Sequence, residues 1–331
     1  MAILQHKKIA SIFRMIKLIV FCLMISFLII SNTYARRTQP PVQLTLHPSK
    51  ATDTEQKYQL LPKADELIDA DAAPLYENAV ASLPAELNTD QINKWRKTPP
   101  DQLPQKQVQA ILQQFKPSLQ LLEQAAKCKQ CDWTYEVLQK LTQYRNMAFL
   151  LTLQIRSQIA QGRYDNAIDT IQTGFALAKN LSKEPTIIPG LVAVAITELI
   201  SKQIEEFARK PDAPNLYQAL SDLPKPFIDL SDPLEIEEAD VVKNVQLLTN
   251  RLDRHIAALQ CIEALRLYAG SHDNKFPEIL SDVTEVKIPD DPVTKKPFSY
   301  NRAGSEAVLE VQATEGSEGK DAIRYELKLK E

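Results

Sequence analysis

The residues of this chain whose types and spacing could do chemistry are Cys128-Lys-Gln-Cys131, Cys261, His255, His272 and the acids Glu235, Glu237, Glu238 and Asp240. Two cysteines three positions apart can form half of a zinc site, a redox dithiol or a local disulfide. A structural zinc site needs four ligands, and the other candidates, Cys261, His255 and His272, lie more than 120 residues further on. A thioredoxin-like dithiol needs a preceding strand, whereas Leu119 to Ala126 reads as helix. The expectation is therefore that Cys128 and Cys131 are packed, or joined in a local disulfide, without catalytic duty. Cys128, Cys131, Cys261 and His255 are the metal candidates, and no cofactor is expected. The acids from Glu235 to Asp240 stand at a helix start, where carboxylates complement the dipole. His272 stands at a helix end, where an imidazolium does the same. Glu205 and Glu206 read as a solvated face, and Trp95 and Trp133 as core. No phosphate loop, Gly-x-Ser-x-Gly or His-Glu-x-x-His occurs.

The elements that must position these groups are mostly helices. Only seven glycines occur, none before Gly162, which leaves few positions for hairpin turns that need positive φ. No proline interrupts the chain between Pro117 and Pro185, and two stripes have helical spacing there: Val137, Leu141, Tyr144, Ala148, Leu151, Ile155, Ile159, and then Tyr164, Ala167, Ile171, Phe175, Ala178. They meet at Gln161-Gly162-Arg163, so two antiparallel helices are expected, with Gly174 giving close approach on their shared face. Ile187 to Ile200 is apolar almost all round and reads as a buried central helix, too short to span a bilayer. Short helices are expected after Asp71-Ala-Ala-Pro74 and after Asp212-Ala-Pro214. A long helix is expected from Pro233, with Val245, Leu248, Leu252, Ile256, Leu259 and Ile262 in its stripe and Gly270 as its stop. Alternation then takes over at Phe298 and Tyr300, Val308 to Gln312, and Ile323 to Leu329, which implies a small antiparallel sheet. The fold class expected is mainly α, with helical hairpins and a small C-terminal α+β piece.

The first 35 residues read as an address. Lys7, Lys8, Arg14 and Lys17 precede a 13-residue apolar run, Leu18 to Ile30, and small residues up to Ala35 follow. Cleavage after Ala35 is expected, with export to the periplasm or cell envelope; membrane contact arises only if this segment is retained. Met15 is an alternative start. Without residues 1–35 the chain has 35 basic and 42 acidic residues, a balance of −7 that argues against nucleic-acid binding. Residues 36–70, with four prolines and no period, read as an extended or disordered tether, 71–232 as a helical domain, and 233–331 as a long helix with a sheet cap.

Two stretches carry resemblances. Gln161-Gly-Arg-Tyr-Asp-Asn-Ala-Ile168 followed by Phe175 resembles the middle of a tetratricopeptide repeat, spread over residues 146–181 and lacking the closing proline. Leu265-Arg-Leu-Tyr268, Asn274-Lys-Phe-Pro277 and Asp290-Asp-Pro-Val-Thr-Lys-Lys-Pro297-Phe-Ser-Tyr300 look like the globular part of type II secretion pseudopilins, over residues 241–331. There Asp291 caps the turn that Pro292 fixes, and Tyr300 begins a strand returning to the helix. The pilin-type cleavage motif and acidic calcium loop have no counterpart, so the resemblance implies fold and not fibre assembly. The order of elements is also similar to uncharacterised exported bacterial proteins, on Cys131-Asp-Trp133 and Gly162-Arg-Tyr-Asp165. The function expected is a non-enzymatic scaffold that binds a protein or peptide. The alternatives are an envelope hydrolase using scattered carboxylates and His272, and a structural pilin-like component.

Overall fold

The structure, a computed structural model, describes residues 40–50, 58–83, 89–230, 239–315, 317 and 319–330. Residues 1–35 and Glu235, Glu237 and Glu238 lie outside them, as does the side chain of Asp240. In chain order the elements are β1 (Val42–Leu46), β2 (Ile68–Asp71), α1 (Ala73–Ala81), α2 (Thr89–Trp95), α3 (Gln105–Gln114), α4 (Lys116–Ala125), β3 (Cys128–Gln130), α5 (Leu141–Ala160), α6 (Tyr164–Leu181), α7 (Ile187–Ala208), α8 (Tyr217–Ser221), α9 (Ala239–Ser271), β4 (Ser299–Ala303), β5 (Glu306–Val311) and β6 (Ile323–Leu329). The chain is mainly α with a small mixed sheet.

Helices α5, α6 and α7 pack on one another at the centre. The α5 helix ends in a Schellman turn: Arg163 N–H donates to Gln158 O at 2.9 Å, Gly162 N–H donates to Ile159 O at 3.0 Å, and Gly162 takes φ +67°. Gly174 does not serve the α5 contact expected for it. A Cβ there would lie 2.8 Å from Ile200 Cγ1, so its missing side chain admits α7 instead. The α7 helix runs eight residues past Ile200 to Ala208, and is long and apolar enough to cross a membrane by length and composition; 56% of its most apolar window is buried within the protein.

The long helix α9 has 33 residues, about 50 Å at 1.5 Å per residue. Gly270 does not stop it. The helix continues to Ser271, and Gly270 is required because a Cβ would meet the Ser49 carbonyl oxygen at 2.0 Å. Ser49 N–H donates to Arg266 O at 3.0 Å, which draws the N-terminal strand region onto the helix.

That contact corrects the reading of a tether for residues 40–50, the described part of 36–70 nearest its start. Val42–Leu46 is the outer strand of a four-stranded sheet, ordered β1-β6-β5-β4, with Leu44 and Leu46 buried. Because β1 pairs parallel to β6 while β6, β5 and β4 pair antiparallel, the sheet is mixed rather than antiparallel. Leu60 is also buried. A second, two-stranded sheet joins β2 to β3 in parallel, so strands are not confined to the C-terminus. One continuous core runs from Leu44 through α5, α6 and α7 to Leu329, crossing the expected boundary at 232/233.

Candidate functional site

The most elaborate polar site surrounds Arg254, which α9 places wholly inside the protein. Its Nε donates to both Asp291 carboxylate oxygens at 3.1 Å, and its Nη2 to Asp291 Oδ2 at 2.7 Å. Nη1 donates to Asp321 Oδ2 at 2.8 Å and Asp321 O at 3.1 Å, and Nη2 also reaches Gln312 O. Asp291 accepts in addition from Val293 N–H and Thr294 O–H, both at 2.9 Å, which fixes the turn at Pro292. Burial raises both carboxyls; the hydrogen bonds they accept and the Arg254 charge outweigh it and hold each below its ordinary value. All the guanidinium's nitrogens are engaged, so this cluster ties α9 to the C-terminal sheet. Tyr300, in β4, donates from its hydroxyl to Pro277 O at 3.0 Å.

A second network has the composition of a nucleophile relay. Ser201 Oγ lies 3.2 Å from His255 Nδ1, His255 Nε2 lies 3.4 Å from Glu205 Oε1, and Tyr325 O–H donates to the same oxygen at 3.0 Å. Serine, histidine and carboxylate in line are what acyl transfer uses. Here, however, Ser201 is 0% exposed and Tyr325 1%, and the clefts beside Asp253 and beside Gln59 are lined by other residues. The Ser201 hydroxyl is closed off from solvent. The relay instead connects α7, α9 and β6. Burial raises Glu205, but the His255 hydrogen bond and charge and the Tyr325 hydroxyl hold it below the usual carboxylate range.

The cysteines do not form the centres weighed for them. Cys128, Cys131 and Cys261 are all buried free cysteines. Cys128 opens β3 and Cys131 follows its last residue, Gln130, so the chain between the two thiols is extended rather than turned back on itself. Cys128 Sγ instead contacts Gln124 O at 3.5 Å, and Cys261 Sγ contacts Pro289 O at 3.9 Å. His255 belongs to the relay, so the metal candidates are dispersed, and among the described residues no three His, Cys, Asp or Glu side chains are grouped to hold a metal ion. Burial pushes the Cys131 thiol up to about 12 and raises Cys128 and Cys261 as well, the state of an unreactive thiol.

His272 is the exposed histidine of the pair. Its ring stacks on Tyr268 at 3.8 Å with planes 4° apart, and its Nδ1 faces Tyr268 O and Ser271 Oγ at 3.0 Å and Glu285 Oε1 at 3.2 Å. A triad needs hydroxyl and carboxylate on opposite ring nitrogens, whereas all three oxygens here crowd one. That arrangement closes the end of α9. His47, another histidine beyond residue 35, was not singled out from sequence; its carbonyl accepts from Arg266 Nε at 2.9 Å. Arg266 and Glu263, 2.8 Å apart and both buried, are a further charged pair that the sequence reading missed. The available signal was three ionic residues, Arg254, Glu263 and Arg266, in a helical stretch apolar on every side.

Two clefts are visible. One lies between Pro224, Lys225, Asp253, Gln260 and Pro289; the other lies between Gln59, Lys63 and Asp222. Trp133 donates to Asn180 O at 2.7 Å and stacks on Tyr76 at 5.5 Å, and Trp95 is buried, so neither tryptophan lines a groove. Comparison with known protein families, with curated proteins and with solved structures gave no match.

Proposed function

We propose that this chain is an exported envelope protein that serves as a non-enzymatic scaffold for a protein or peptide partner. Residues 1–35 direct export, the α5–α6 pair is a tetratricopeptide-like unit, and α9 with β4, β5 and β6 is a pseudopilin-like unit that acts as a cap. The observation that carries this reading is the allocation of reactive groups. Arg254, Asp291, Asp321, His255, Glu205 and Ser201 are buried or nearly so and are saturated by one another across α7, α9 and the C-terminal sheet. Groups spent in that way support rigid mutual positioning of elements, which a binding platform needs, and keep the Ser201 hydroxyl of the relay away from solvent. His272, its expected base, is engaged at the end of α9.

The test is fractionation of cells expressing the full chain, combined with a photo-crosslinking residue at Asn166, which is exposed on α6. The expected result is a processed chain beginning at Arg36 in the envelope fraction and one discrete protein adduct. A chain found in the cytosol would overturn export. A processed chain that gives no adduct from Asn166 or other exposed α5–α6 positions, and that hydrolyses esters in a His272-dependent way, would overturn the scaffold.

A further inference from the structure

Three arginines gather where α2, α5 and the end of α7 meet, and their charge is not balanced locally. The Arg96 guanidinium carbon lies 4.2 Å from the centroid of the Phe149 ring, and that of Arg145 lies 5.5 Å from the same centroid. Arg96 is held in place, since its Nε and Nη2 donate to Asn93 Oδ1 at 3.2 and 3.0 Å. Among the described residues neither Arg96 nor Arg145 has a carboxylate partner, and Arg145 is exposed. Behind them lies Arg156, 5% exposed, with a buried Nε that has no hydrogen-bond partner. Its nearest carboxylate, Glu206 at 3.4 Å, is shared with Arg209 at 3.7 Å.

Like charges so placed repel. Burial lowers the pKa of Arg96, and the charges of Arg145 and Arg156 lower it further. Attraction to the ring face offsets only part of this, about 0.5–1 kcal/mol per cation at exposed sites. An anion beside the guanidiniums would relieve it, and the Nη1 edge that the bonds to Asn93 leave open on Arg96, together with the exposed Arg145, can donate to an oxyanion. Three cations against one shared carboxylate favour a doubly charged group over a single carboxylate.

We infer that Arg96 and Arg145, flanking Phe149, form a binding site for a phosphate group, either free or carried on a lipid headgroup. The site is separate from the scaffold reading and stands without it. Arg96 is already oriented by Asn93, and Arg145 is exposed and can turn towards the ligand. Binding weakens with salt, because the attraction acts at the surface.

The test is titration of the purified chain with inorganic phosphate by calorimetry at low ionic strength, and flotation with vesicles of phosphatidylglycerol or of phosphatidylcholine alone. Saturable binding of one phosphate is expected, reduced at least tenfold in Arg145→Gln and in Arg96→Gln and unchanged in Arg302→Gln, at the far sheet edge. Arg145→Gln alters an exposed side chain that rests on the Phe149 ring, so its melting temperature serves as the folding control. Flotation with phosphatidylglycerol that depends on Arg145 would identify the lipid source, and phosphate binding without flotation the free ion. Absence of saturable phosphate and vesicle binding, or equal binding by Arg145→Gln, would overturn the site, as would capture of a polyglutamate peptide alone.

Discussion

Arg254 Nη2 donates to Asp291 Oδ2 at 2.7 Å, and both side chains are sealed from solvent. This pair joins the long helix to a loop 37 residues later and makes that junction ionic. Desolvating both ions costs several kcal/mol each, so the pair holds only because Asp321, Thr294 and Gln312 complete its hydrogen bonds.

Arg254→Met is therefore expected to destabilise the protein by about 3–5 kcal/mol, because it leaves two buried carboxylates without a cation. Adding Asp291→Asn and Asp321→Asn to that variant should recover part of the loss, since the stranded charges disappear. Urea unfolding of the parent and of these two variants measures both steps. A triple variant less stable than Arg254→Met alone would show that the cluster is not held together by charge pairing.

Acid should loosen the same junctions. Asp291, Asp321, Glu205 and Glu285 all have folded pKa values below their ordinary ones. Each contributes stability that is complete above the unfolded values of about 3.9 for Asp and 4.3 for Glu, and that is lost as the pH falls through the lower folded values. Asp253 and Glu123 are raised by burial and act in the opposite sense, losing stability as pH rises from the unfolded value towards the folded one. With four groups against two, the melting temperature should fall steeply below about pH 4, and Glu205→Gln should flatten that fall. An acid limb with the same slope in Glu205→Gln would remove Glu205 from the linkage.

The buried thiols should be silent in the native state. Cys131, pushed up to about 12, carries almost no thiolate at neutral pH, and Cys128 and Cys261 are raised as well. A thiol-reactive chromophore should label these three only upon unfolding, at a rate that follows denaturant concentration. Mass spectrometry of the native protein should find Cys128 and Cys131 reduced and unlinked to each other. A native 128–131 disulfide would require β3 to be dismantled.

Much of this architecture can be read in the residues. The 3.6 period of Tyr144 to Ile159 and of Tyr164 to Ala178 places α5 and α6, and the alternation in Ile323 to Leu329 places β6, because apolar side chains repeat at the spacing of the surface they bury. Partners across long separations leave no such trace. Val42–Leu46 is five residues long, and its pairing with β6 spans nearly the whole chain, so its local sequence resembles any polar, proline-flanked connection. Gly174 and Gly270 likewise look like turn or hairpin glycines until Ile200 and Ser49 are seen against them. The relay of Ser201, Glu205, His255 and Tyr325 comes from three elements, and none of its members sits in a motif.

Tyr144 offers a test of the core in which removing a polar atom should do no harm. The residue is wholly buried, its ring meets Trp133 edge-on at 5.5 Å, and its hydroxyl has no hydrogen-bond partner. A hydroxyl taken out of water without a partner costs about 1–3 kcal/mol by the evidence of substitutions in proteins, while the ring's packing is independent of it. Tyr144→Phe keeps the ring and removes the unpaired group. The variant should be as stable as the parent or more so, by up to about 1 kcal/mol, in thermal and urea unfolding. Tyr76→Phe is the control, because Tyr76 accepts from Asn180 Nδ2 at 3.0 Å and its loss leaves that buried amide unpaired. The two substitutions delete the same atom a short distance apart, around one tryptophan, and should move stability in opposite directions. A loss in Tyr144→Phe equal to that in Tyr76→Phe would mean that the Tyr144 hydroxyl is hydrogen-bonded in solution.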